Sequence, residues 1–244
     1  MSRLRASTIH LALSAFVGTV LLALFWWVWY PSPLFRAVGG AQIFLMLLGI
    51  DVILGPLLTF VVFNATKKSL RFDLAVVATL QIAALSYGVY TLLVGRPVYV
   101  AALGHRFDVV QASDVVATEN AALWIQLSWW GPTWVGTRTP IDPMERARVM
   151  SSALAGADLS HFPQYHQPLI NMRDEILKNA SPVSSLAKFN VGKDADIQRW
   201  LADHGRTIDN TVFQGLKARA EDMAVIMDGK TAEVIGIAPF KPWD

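Results

Sequence analysis

The 244-residue sequence contains no cysteine, which excludes disulfide bonds and thiol catalysis within it. It is also poor in charge. Lys, Arg, Asp and Glu make up 16% of residues, against about 25% in ordinary soluble domains. No GxSxG, no P-loop and no GxGxxG opening a nucleotide fold occurs, and there is no internal repeat or low-complexity tract. The acidic residues are scattered, so no carboxylate pair stands out for acid–base work. His161 and His166 lie five apart in HFPQYH. Pro163 between them argues against a metal-binding helical pair, so loop hydrogen bonding is their expected role. No catalytic, metal or cofactor site is expected.

What the sequence has instead is apolar residues, 53% of the total, distributed unevenly. Three blocks, residues 9–30, 41–63 and 74–94, are each about 20 residues long, enough to cross about 30 Å of hydrocarbon as a helix. The first is longer than a signal-peptide core and ends in FWWVWY with no small-residue cleavage site after it, so it reads as a span. Residues 1–94 thus form a three-helix membrane anchor, and residues 95–244 a globular domain long enough for its own core. Arg3 and Arg5 precede the first block, and Lys67, Lys68 and Arg71 fill the loop after the second. The positive-inside rule puts both on the cytoplasmic side, which leaves residues 95–244 outside. Trp26, Trp27, Trp29 and Tyr30 then form an aromatic belt at the outer interface. Residues 1–94 hold six Lys/Arg and two Asp/Glu, and the remainder fifteen and seventeen. The net charge of +2 therefore reflects membrane topology, not a nucleic-acid-binding face.

One acid interrupts the second block. Asp51 stands in GIDVILGPLLTF, and a charged Asp at mid-membrane costs about 2.5–3.5 kcal/mol on insertion scales. Gln81 and Tyr87 on the antiparallel third helix lie within about one turn of its depth, and Thr19 on the first is close to that level. His10, near the cytoplasmic end, is expected to be too distant to pair. Pro56 removes an N–H and clashes near Val52, so a kink and a free carbonyl are expected there. Gly18, Gly49 and Gly55 permit close helix approach. Asp51, Pro56, Gln81 and Tyr87 form a candidate intramembrane polar site. Its roles are a staple between helices, a docking point for a polar or cationic group on another membrane helix, or a proton or ion relay. The basic loop NATKKSLRFD sets topology or meets acidic headgroups.

In the outer domain, runs 98–103 and 107–111 separated by GHR predict a hairpin starting at the membrane surface. LWIQLSWWGPTWV holds Trp124, Trp129, Trp130 and Trp134. They form either a packed strand and turn or an exposed aromatic surface for lipid or a protein partner. Asp142 and Pro143 start a helix with Glu145 at the capping-box position. Further helices are expected over 168–178, after Ser181-Pro182, and over 194–204. Strands over 212–218, 223–227 and 232–237 close the domain, the last two joined at the DGK turn. Strands, then helices, then strands predict an α+β domain with an antiparallel sheet.

YPSPLF at 30–35, Gly39-Gly40, LLGIDVILGPLLT at 47–59, KKSLRFDL at 67–74, LQ at 80–81, YGVYT at 87–91, RPVYVA at 96–101 and HRFDVV at 105–110 resemble one bacterial family. It is the TfpX/TfpZ type IV pilin accessory proteins, and the likeness covers about residues 25–115. The resemblance implies a non-enzymatic inner-membrane protein that acts with the major type IV pilin, and it brings no catalytic residues. Pilins of this class present an apolar N-terminal helix with a free methylated amine, a cation that Asp51 would complement. Two other classes stand beside it. An extracytoplasmic sensor would need a ligand pocket in the outer domain. A membrane enzyme would need Arg36, Arg96, His105 and Asp108 to converge at the membrane surface. The sequence sets no pilin type and no stoichiometry.

Overall fold

A computed structural model describes residues 2–116 and 127–244. Three long apolar helices, Arg3–Trp29, Gly40–Val62 and Leu70–Val94, are followed by a mixed α/β domain. The first span begins earlier than its apolar run, at Arg3, where Ser2 Oγ accepts the Arg5 amide at 3.3 Å. Its last turn, Phe25–Trp29, widens to a π-helix. The second span is α-helical to Leu48, takes a π turn over Gly49–Leu54, and resumes as α-helix from Gly55. The π turn is the answer to Pro56. That residue has no N–H to offer Val52, and the Gly55 amide bonds five residues back, to Ile50 O, so the helix continues past the proline without breaking.

Among the described residues, the domain after the spans is built on an eight-stranded sheet. In chain order its strands are β1 (Pro97–Ala102), β2 (Phe107–Gln111), β3 (Thr133–Thr137), β4 (His166–Gln167), β5 (Ser181–Pro182), β6 (Thr211–Lys217), β7 (Met223–Asp228) and β8 (Val234–Ala238). The order in the sheet is β4-β3-β1-β2-β6-β7-β8, with β5 paired to β6. The β1–β2 hairpin forms where expected, turning at Gly104 with φ +86. The expectation of an antiparallel sheet is corrected to a mixed one, because β1 pairs β3 in parallel and β2 pairs β6 in parallel. Both parallel pairs join strands separated by long connections, which leave the chain free to re-enter in either direction. In the β7–β8 turn Asp228 accepts the Lys230 and Thr231 amides at 2.9 and 3.0 Å.

One sheet face buries Val100, Phe107, Leu216, Met223, Val225 and Met227 against Met172 and Ile176. The other buries Phe213, Ala224 and Ile226 against the helix Asp194–Asp203 through Ile197 and Leu201. The helix Pro143–Leu154 is capped by Asp142, which accepts the Met144 and Glu145 amides. Glu145 does not complete a capping box. Its carboxylate accepts the Tyr165 hydroxyl at 3.0 Å instead.

The loop after the first span belongs to the domain's core. A short helix, Leu34–Ala37, puts Leu34 and Ala37 among the residues on the first sheet face. The Ala37 carbonyl accepts the amides of Ala220 and Glu221, and Arg36 forms a two-pronged ion pair with Glu221. This loop and the sheet domain therefore lie on one side of the membrane.

Candidate functional site

The first and third spans both pack on the second and leave a groove between themselves. One wall carries His10, Leu13, Ser14 and Val17, and the other Ala78, Gln81, Ile82 and Leu85. Each set recurs at i, i+3, i+4, i+7, a single helical stripe. Asp51, at the π turn, forms the floor of this cavity of about 220 Å³. Leu13 and Ile82 are exposed on its rims, so the groove opens toward lipid.

Two hydrogen bonds tie the first span to the second between Asp51 and the end of the bundle that carries the N-terminus. Ser7 Oγ donates to Pro56 O at 2.9 Å, and His10 Nδ1 pairs with Thr59 Oγ1 at 2.6 Å. Gln81 Nε2 ties the third span to the second by donating to the Asp51 backbone carbonyl at 3.4 Å. A Cβ at Gly55 would overlap the Gln81 amide, so this glycine makes that entry sterically available. Gly88 does the same for the Leu47 side chain.

Asp51 itself is only 8% exposed. Among the described residues no hydrogen-bond donor or ion-pair partner reaches its carboxylate. Of the four residues singled out from the sequence, Asp51 and Gln81 line the groove together, while the Pro56 carbonyl is taken by Ser7 and Pro56 is not among the residues lining it. Nor does Tyr87 line it: it is 69% exposed on the outside of the bundle. Thr19 turns back on its own helix, bonding Ala15 O. His10, expected to be too distant, lines the same groove as Asp51. Starting the first span at Arg3 rather than at residue 9 carries His10 about two turns into the helix. A buried carboxylate without a partner, in a groove open to lipid, is suited to receive a cation or a strong donor carried by another membrane helix.

At the end of the bundle next to the sheet domain, Tyr30 Oη donates to Leu92 O at 2.5 Å, joining the first and third spans. Arg96 is 1% exposed. It donates to Leu93 O at 2.7 Å and to Ser128 O at 3.4 Å, and its guanidinium lies 4.8 Å from the Trp129 ring. Burial lowers its pKa from the usual arginine value, and the nearby Tyr30 opposes that shift. The tryptophans of the aromatic run separate. Trp134 packs on the sheet core, Trp129 and Trp130 are exposed, and Trp124 lies outside the described residues.

Residues weighed for surface chemistry are committed elsewhere. Arg36 pairs with Glu221, Arg96 sits in the junction, and Asp108 pairs with Arg106 and accepts the Ser160 hydroxyl at 2.9 Å. Ser160 is fully buried, donates to Asp108 and lies 3.4 Å from His161 Nδ1. His161 Nδ1 lies 3.1 Å from Asp158 O, and His166 Nε2 lies 2.8 Å from Ser160 O.

Residues 1–40 match the family described as Fimbrial assembly protein FimB. The chain is 29% identical over 231 residues to the fimbrial assembly protein of serogroup I from Dichelobacter nodosus, covering 92% of this chain and 90% of the relative. The serogroup E1 protein matches at the same identity and coverage. The protein of serogroups C1 and C2 is 34% identical over 117 residues, 47% of this chain and 89% of that relative. No solved structure matches the chain. With three membrane spans and these relatives, the chain belongs to the fimbrial assembly protein family.

Proposed function

We propose that this protein is a non-enzymatic accessory protein of type IV fimbriae that binds the major pilin within the inner membrane. The N-terminus is cytoplasmic, and residues 95–244, with the loop that fills their core, face the periplasm. Family membership supports the role in fimbrial assembly, and the likeness to TfpX/TfpZ proteins supports the type IV class. The observation that carries pilin binding is the groove, with two striped helical walls and Asp51 buried at its floor, its carboxylate without a hydrogen bond among the described residues. It has the form of a helix-receiving site. A pilin helix with a cation near its membrane-embedded end would bury its apolar face there and neutralise the acid.

The test is photocrosslinking in membranes from Leu13 and Ile82, on opposite rims, with tagged pilin. Crosslinks from both positions that weaken in Asp51→Asn are expected. Crosslinks only within this chain, with pilin captured from the outer domain alone, would overturn the groove assignment.

A further inference from the structure

Trp129 and Trp130 take no part in the groove, and their placement points to a different partner. The first span ends at Trp29, and the Trp129 ring lies 6.3 Å from the Trp29 ring. Arg96, just past the end of the third span, places its guanidinium 4.8 Å from the Trp129 ring centroid. Gly131 follows with φ +72, and a Cβ there would lie 3.2 Å from Pro31 Cγ. Residues 129–131 are thus laid beside residues 29–31, at the level where the first span leaves the hydrocarbon. Trp130 is 80% exposed there, and Trp27 on the first span is 78% exposed.

An indole has an apolar body and one N–H, which suits the boundary between acyl chains and headgroups. We infer that Trp130 inserts into this boundary and seats the outer domain on the bilayer. Its occupant is the lipid interface, because the surface is continuous with the ends of the spans. Trp129 and Arg96 hold the foot in place. The domain's height and tilt above the membrane then follow from this contact together with the loop in its core. The same surface turned toward a protein would be covered by that protein rather than by lipid.

The chain has no cysteine, so Trp130→Cys gives a unique site for a nitroxide on the full-length protein in phosphatidylcholine nanodiscs. Collision with oxygen, which partitions into lipid, is compared with collision with a water-soluble nickel chelate. Lys230→Cys, in the β7–β8 turn at the membrane-distal end of those strands, serves as the aqueous reference. The expected result is several-fold preference for oxygen at 130 and for nickel at 230. Nickel access at 130 equal to that at 230 would overturn the inference. So would a label at 130 shielded from both reagents, which would mean a protein cover. Because the label replaces the indole, brominated lipid provides a second reading. The emission lost on Trp130→Phe should be emission that the bromine quenches, and an unquenched loss would refute lipid contact.

Discussion

Asp51→Leu separates the staple role of the acid from the docking role. A staple would act through hydrogen bonds of the side chain. In the structure the tie at this level runs from Gln81 to the Asp51 backbone carbonyl, which any residue at position 51 supplies. The carboxylate therefore contributes mainly its burial cost. On insertion scales a mid-membrane Asp costs about 2.5–3.5 kcal/mol and Leu contributes about −0.3 to −0.6, so the upper bound on the gain is about 3–4 kcal/mol. The groove is open and lined in part by the polar side chains of Ser14, His10 and Gln81, a less apolar setting than mid-bilayer, which brings the expected stabilisation down to about 1–2 kcal/mol. The assay is reversible unfolding in mixed micelles with increasing dodecyl sulfate, followed by helicity. Asp51→Leu should unfold at higher detergent fraction than the parent while losing the pilin crosslinks from Leu13 and Ile82. Greater stability with less binding is the mark of a residue kept for function. A destabilisation of more than about 1 kcal/mol would make Asp51 a structural element, and the docking argument would fail.

Other perturbations test neighbouring parts of the structure. Gly55→Val should force Gln81 out from between the second and third spans and cost about 1–3 kcal/mol in the same unfolding assay, whereas Gly49→Ala, with open space beside it, should change little. Leu34→Asp would place a charge in the sheet core and should make the outer domain protease-sensitive, while Glu221→Gln, which weakens a partly exposed ion pair, should shift stability by no more than about 1 kcal/mol. Burial depresses the His166 pKa, with the bond to the Ser160 carbonyl opposing it. The unfolded chain then binds a proton that the folded chain does not, between the ordinary histidine value of about 6.5 and the lower folded one, so stability falls as pH drops through that window. The melting temperature should decline on acidification from about pH 7, and His166→Gln should flatten the decline.

The parts legible in the sequence are those with local causes. Span length follows from apolar run length, and the β1–β2 hairpin and the Asp142 cap follow from neighbouring residues. The Asp51 cluster was legible only in part. Helical periodicity, at about 100° per residue, puts Tyr87 about 120° away from Gln81 and so excludes it, while it aligns Ala78, Gln81, Ile82 and Leu85. The same periodicity aligns His10 with Leu13, Ser14 and Val17, a signal that placing His10 at a helix end concealed. The parallel strand pairs and the insertion of Leu34 and Ala37 into the sheet core had no comparable signal. PLFRAVGG reads as an ordinary connection, and its apolar residues gain their meaning only from a sheet whose strands lie between Pro97 and Ala238.

That insertion bears on how the protein works. The bundle and the sheet domain meet through Leu34 and Ala37 in the core, the Ala37 carbonyl bonded to Ala220 and Glu221, Tyr30 bonded to Leu92, and Arg96 enclosed between the third span and Ser128. The third span also runs into β1 with only Gly95 and Arg96 between them. A hinge needs a segment with few buried contacts, and neither connection supplies one. The first two spans are joined by the very loop that fills the domain's core, so a movement of the first span that opened or closed the groove would pull on Leu34. Reorienting the outer domain would, for the same reason, strain the groove. The groove and the domain are thus mechanically one unit. A helix docked at Asp51 and continuing out of the membrane would meet the sheet domain in a single orientation, which is the geometry an assembly factor needs to present a subunit in one way.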